Sequence, residues 1–114
     1  MKKTIFLSAL AMTLLACTET NPLLEQSDSH YGVPAFDKVK IEHYMPAFEK
    51  AIAENKEEID AIINNPAEPT FDNTIVALDR AGSLLERVSG VFYNVLEADG
   101  NDEMNAIAEK VSPM

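Results

Sequence analysis

Two histidines and one cysteine are this chain's whole supply of imidazole and thiol. A catalytic zinc ion needs three converging protein ligands, and on a helix the usual carrier is His-Glu-x-x-His, two imidazoles one turn apart with a glutamate base between them. His30 stands beside Tyr31 and His43 follows Glu42, without ligand spacing and in different settings, so both read as surface or packing residues. Glu54, Glu57, Glu58 and Asp60 supply carboxylates for acid–base work. A catalytic pair requires burial or close approach to split its pKa values, and these four fall opposite the apolar stripe of their helix, on a solvated face. The serines lack a Gly-x-Ser-x-Gly turn, and no glycine-rich phosphate loop is present. Met104 and Met114 read as core or terminal residues. The sequence thus assigns no catalytic, cofactor-binding or metal-ligating residue to positions 1–114.

Cys17 has a different chemistry. Lys2 and Lys3 precede an uncharged, mostly apolar run from Thr4 to Leu15, and Leu14-Leu15-Ala16-Cys17 closes it. A positive start, a short apolar run and a small-residue cleavage site define a secretory signal peptide over residues 1–16. The run falls short of the roughly 20 apolar residues of a spanning helix. Leu-Leu-Ala-Cys resembles the lipobox of bacterial lipoproteins, which implies that Cys17 becomes a lipidated N-terminus. A single cysteine excludes an intramolecular disulfide, and lipidation accounts for an otherwise unpaired thiol in an exported protein. The implied location is the bacterial envelope, periplasm or outer membrane.

Removing residues 1–16 takes away two lysines and no acid, moving the formal charge from −10 to −12. So acidic a body argues against nucleic acid, whose phosphates need a basic footprint. It argues equally against electrostatic attachment to anionic headgroups, leaving the acyl chains of a lipid anchor as the membrane contact.

The elements that would position these residues are helical. Residues 17–35 carry Gly32, Pro22 and Pro34 without an apolar period, and read as an extended arm on which Leu23 and Leu24 dock. In residues 36–114, Ile41, Tyr44, Met45, Phe48, Ile52, Ile59, Ile62 and Ile63 recur at steps suited to one buried helical face. Pro46 is tolerated in a first turn but should kink a helix that begins at Ile41. The stretch Asn64 to Pro69 ends this helix. Thr70 is a good N-cap for a second one, with Asp72 in its first turn. Phe71, Ile75, Leu78, Leu85, Val88, Phe92, Val95 and Leu96 carry that helix across 71–97. Gly82 and Gly90 lie within it, each costing about 1 kcal/mol relative to alanine. A close helix contact at one of them, or a bend at Ser89-Gly90, would explain their presence. After the turn Asp99-Gly100-Asn101-Asp102, the residues Met104, Ile107, Ala108 and Val111 predict a short third helix. The fold class is all-α, and three such helices bury too little by themselves for comfortable stability.

One succession of short motifs runs from Asn21 to Pro113. It begins Asn21-Pro22-Leu23-Leu24, Phe36-Asp37 and His43-Tyr44-Met45-Pro46-Ala47-Phe48-Glu49. Phe71-Asp72-Asn73-Thr74-Ile75, Leu84-Leu85-Glu86-Arg87-Val88 and Val91-Phe92 follow. Their order and spacing resemble the N-terminal segment of bacterial peptidyl-dipeptidases (dipeptidyl carboxypeptidases), zinc enzymes of the thimet oligopeptidase family. The His-Tyr-x-Pro-Ala-Phe and Asn-Thr-Ile blocks look more like that branch than the oligopeptidases. The resemblance implies a mostly helical, two-lobed fold enclosing a channel, and places these helices at the start of the lobe that roofs it. It implies zinc bound far downstream, short peptides as substrates and release of C-terminal dipeptides. By this reading the chain is a truncated N-terminal portion without catalytic residues. The rival reading is a small acidic helical lipoprotein that acts as a binding or envelope-structural module.

Overall fold

The computed structural model describes residues 20–114, so the signal-peptide and Cys17 readings lie outside the described residues. Regular structure among the described residues is helical throughout, in three runs of which the second is interrupted. The first run is α1 (Ile41–Ile63). The second opens with a wide π-type segment, Phe71–Val76, continues as α2 (Ala77–Arg80) and, after a break, becomes α3 (Ser83–Asp99). The third is α4 (Asp102–Val111). A single turn of 3-10 helix, His30–Gly32, interrupts the arm.

α1 buries Tyr44, Ala47, Phe48 and Ala51, the i, i+3, i+4, i+7 set of one helical face. It begins at Ile41, which places Pro46 beyond the first turn, where a kink was to be expected. The helix nevertheless continues unbroken through Pro46. Proline removes the N–H that would bond the carbonyl of Glu42, an exposed residue whose backbone has water as an alternative partner. At the other end the Asn64 backbone N–H and side-chain amide both donate to the Asp60 carbonyl, at 2.9 and 2.7 Å. Pro66 and Pro69 follow within the same exposed stretch and cannot continue the ladder.

Thr70 caps the second run as its sequence predicts. Its hydroxyl accepts the Asn73 N–H at 3.1 Å, and Asn73 Oδ1 accepts the Thr70 N–H at 2.7 Å. The Asn73 amide also donates to the Glu68 carbonyl at 3.0 Å, so one side chain ties the loop to the helix start. A helix unbroken over 71–97 does not form. Ala81 leaves helical geometry (ψ 140°) and Gly82 takes a left-handed conformation with φ 81°. That break is where the second run comes against α1. The Gly82 N–H donates to Glu58 Oε2 at 2.7 Å, and a Cβ on Gly82 would lie 3.0 Å from Asn55 Oδ1. Gly90 shows neither bend nor close contact: α3 passes through it, and nothing lies within 4 Å of a Cβ placed there.

The core sits between α1 and α3. Phe92, Phe48 and Val88 are its largest fully buried side chains. The Phe92 ring meets Tyr44 edge-on at 4.9 Å and Phe48 at 5.3 Å, arrangements worth about 0.5–1.5 kcal/mol each beyond area burial. Burial pushes the Tyr44 hydroxyl above its ordinary pKa. α4 closes one side with Met104, its start capped by Asn101 Oδ1 accepting the Met104 N–H at 3.0 Å. The arm closes another side with Leu23, which is 4% exposed, while Leu24 packs partly buried beside it. Asn21 fixes the arm by donating its amide to the His43 carbonyl at 2.8 Å.

The Glu58–Gly82 contact can be tested directly. Gly82→Ala must adopt a positive φ, which costs roughly 1–2 kcal/mol for a residue with a Cβ, and it crowds Asn55 as well. Glu58→Ala removes the acceptor from a charge-assisted bond worth about 1.5–3 kcal/mol. Urea unfolding should show both variants destabilised, with Gly90→Ala neutral or stabilising.

Candidate functional site

The residues with chemical potential are dispersed, and most are engaged in holding helix ends. His43 lies in the first turn of α1, where its Nδ1 accepts the Lys40 backbone N–H at 3.0 Å. An imidazole in that arrangement carries its proton on Nε2 and serves as a capping group. His30 is exposed in the arm, its ring edge-on to Tyr31 at 4.1 Å. Tyr31 is 92% exposed and holds a positive φ of 64°. The two imidazoles therefore belong to separate local structures, one in a cap and one in a surface turn.

Among the four carboxylates, Glu57 and Asp60 are exposed and Glu54 is half-buried. Glu58 departs from the solvated face on which the sequence placed all four. It is half-buried, and its Oε2 accepts the Gly82 N–H. Since Gly82 has no side chain with which to cap α3, a carboxylate from α1 stands at that helix start, where negative charge is favourable. Glu58 adjoins Ile59 at the edge of the apolar stripe, and this was the one signal that it would turn inward. Its partner is Gly82, 24 residues away, one of the two glycines at which the sequence points to a close helix contact.

Among the described residues, no group of three His, Cys, Asp or Glu side chains is placed to hold a metal ion. Nor is any described helix long and apolar enough to cross a membrane. The clearest concavity is a cleft of about 420 Å³ between the arm and α3, with Leu23, Lys38, Val39, Arg87 and Val91 in its walls. Arg87 stands in the sequence only as a member of the Leu84–Val88 motif, with no role of its own. Its Nη2 donates to the Leu23 carbonyl at a long 3.4 Å, and its buried Nε has no partner among the described residues. Ser27 and Ser29, at the rim, both direct their hydroxyls to the Val33 carbonyl at 2.6 Å. These hydroxyls shape the arm, and the cleft gathers no nucleophile–base pair.

What the described residues define is a helical scaffold, with its polar groups committed to caps and turns. Comparison with known proteins says which scaffold. No family model matches the chain. Its sequence is 46% identical over 93 residues to a dipeptidyl carboxypeptidase of Salmonella typhimurium, a match covering 82% of this chain and 14% of the relative. It is 43% identical over 95 residues to a dipeptidyl carboxypeptidase of Escherichia coli, covering 83% of this chain and again 14% of the relative. Oligopeptidase A of Salmonella typhimurium is similar at 25% identity over 95 residues, covering 13% of that protein. The chain is thus similar over most of its length to these dipeptidyl carboxypeptidases, and spans about a seventh of theirs.

The placement of His43 predicts the behaviour of its variant. His43→Ala should lower the unfolding free energy by about 1 kcal/mol through loss of a cap. Zinc titration by calorimetry should give the same isotherm for both proteins, and a stoichiometric site lost in the variant would overturn the capping role.

Proposed function

We propose that this chain forms the N-terminal part of the channel-roofing lobe of a zinc-dependent peptidyl-dipeptidase, which releases C-terminal dipeptides from short peptides. The observation that carries this reading is the pair of matches at 46% and 43% identity to dipeptidyl carboxypeptidases. The drop to 25% against oligopeptidase A favours the dipeptide-releasing branch over the oligopeptidases. The two stronger matches favour the peptidase over a small self-standing lipoprotein module.

The metal implied by this reading does not fit the described residues. His43 Nδ1 already accepts a backbone N–H, and no three ligands converge. The reading therefore assigns zinc and its chemistry to other parts of the longer protein, and gives this segment the task of shaping the space peptides enter. The chain's acidity, with a formal charge of −10, supports peptides rather than nucleic acid as partners.

A graft tests the assignment. Residues 20–114 are exchanged for the matching segment of a dipeptidyl carboxypeptidase relative, and dipeptide release is followed by mass spectrometry. The graft should retain chelator-sensitive release from the C-terminus of short peptides. A folded graft that cleaves internally, or not at all, would refute the assignment.

The same reading places the protein in the bacterial envelope, held by a lipid on Cys17. It is supported by the charged start, the apolar run and Leu14-Leu15-Ala16-Cys17. Several acyl chains would be needed for stable attachment, since one alone binds weakly. Cys17→Ala should abolish lipid incorporation, seen as a mass difference, and release the protein from detergent-extractable membranes. Equal membrane recovery of variant and wild type would sink the anchor.

A further inference from the structure

The opening part of the second helical run, residues 71–80, presents its largest apolar side chains to solvent. Phe71 is 70% exposed, Ile75 51% and Leu78 54%, and neither the π-type segment nor α2 contains a buried residue. The wide first turn followed by α-helical geometry brings these three positions to one side of the run. Ten residues of helix are too few to persist in water by propensity alone and normally depend on packing of an apolar face. Here that face points outward, while hydrogen bonds from Thr70, Asn73 and Glu68 at one end and the Gly82–Glu58 bond beyond the other fix the run's ends. The result is an apolar stripe held in position before it is covered.

We propose that the Phe71–Ile75–Leu78 stripe is the docking face of this segment for the rest of a dipeptidyl carboxypeptidase polypeptide. The proposal rests on the family reading above. A 93-residue match within a 114-residue chain must take in residues 22–93, so the stripe lies inside the region shared with proteins about seven times as long. Such a protein has a large remainder against which an apolar face can be buried. A second copy of this chain is a poorer occupant, because a formal charge of −10 on each copy opposes self-association. The stripe also has the character of a packing face, three large apolar side chains without a polar member to orient a small ligand.

The test mixes the 114-residue chain with a dipeptidyl carboxypeptidase relative lacking the matching segment. Association is read by analytical ultracentrifugation, and amide hydrogen exchange across 71–80 by mass spectrometry. Docking should slow exchange across 71–80 at least about tenfold relative to the chain alone. Phe71→Asp combined with Leu78→Asp should weaken association by about tenfold or more, since each removes a large apolar group from the contact. Glu109→Lys, on the exposed side of α4, should leave association unchanged. The proposal fails if exchange across 71–80 is unaffected by the relative, or if association survives the double substitution. It fails equally if the chain protects these amides by itself in a concentration-dependent way, which would make a second copy the occupant. Should the shortened relative not fold, the exchange measurement is made on the full-length graft, where rapid exchange across 71–80 in a folded protein overturns the proposal. Dipeptide release is a separate readout: docking without it removes the enzymatic reading and leaves the interface standing.

Discussion

The structure depends on one ring. Phe92 lies wholly buried where α1 crosses α3, with Tyr44 and Phe48 presenting edges to it from the same face of α1. Leu23 from the arm and Met104 from α4 belong to the same buried cluster. Elements from both ends of the described chain therefore share one apolar centre, and none has a core of its own. For so small a body this is the only economical arrangement, because burial scales poorly at low chain length. It also explains the arm. An extended segment with two prolines forms no ladder, yet Leu23 in the core and the Asn21 bond to the His43 carbonyl fix its path.

With α3 held by Phe92, the chain before it has to turn sharply, and Gly82 is where it does so. Left-handed backbone, absence of a Cβ and a free N–H are all used at this one residue, the last by Glu58. The consequence reaches past the loop. Had the second run continued straight through residue 82, helical spacing would have put Phe71 and Leu78 near the face that carries Leu85, Val88 and Phe92. The break detaches them from that face, and they remain outside the core. An apolar face outside the core is thus produced by the same glycine that lets the core close.

The sequence was most legible where a pattern is local. The Thr70 cap, the break at the two prolines and the Asn101 turn each depend on residues a few positions apart, and each stands as read. The apolar face read for α1 holds at Tyr44 and Phe48 but not at Ile63, which is 71% exposed at the helix end. It was least legible where two distant residues decide the outcome. Helical periodicity carries through Gly82 and Gly90 alike, and propensity penalises both equally. Only the approach of Asn55 and Glu58, invisible in one dimension, makes the first a break and the second an ordinary helical position. The same reason hid Glu58 among solvated acids, and hid Arg87 beneath the arm whose carbonyl it contacts.

The polar residues that suggest chemistry in the sequence lead to a more general point. An imidazole, a carboxylate and an asparagine amide are reagents in an active site, but they are also the groups best able to satisfy unpaired backbone at helix ends. In a body with this many helix termini for its size, that second use competes strongly for them. His43 accepts at the start of α1, Glu58 at the break before α3, Asn73 at the second run and Asn101 at α4. A group so engaged has its geometry fixed by the helix end it caps. Scaffold and chemistry are therefore best placed in different parts of a polypeptide. The dipeptidyl carboxypeptidases that the chain resembles are about seven times as long as the stretch it matches, which agrees with that division.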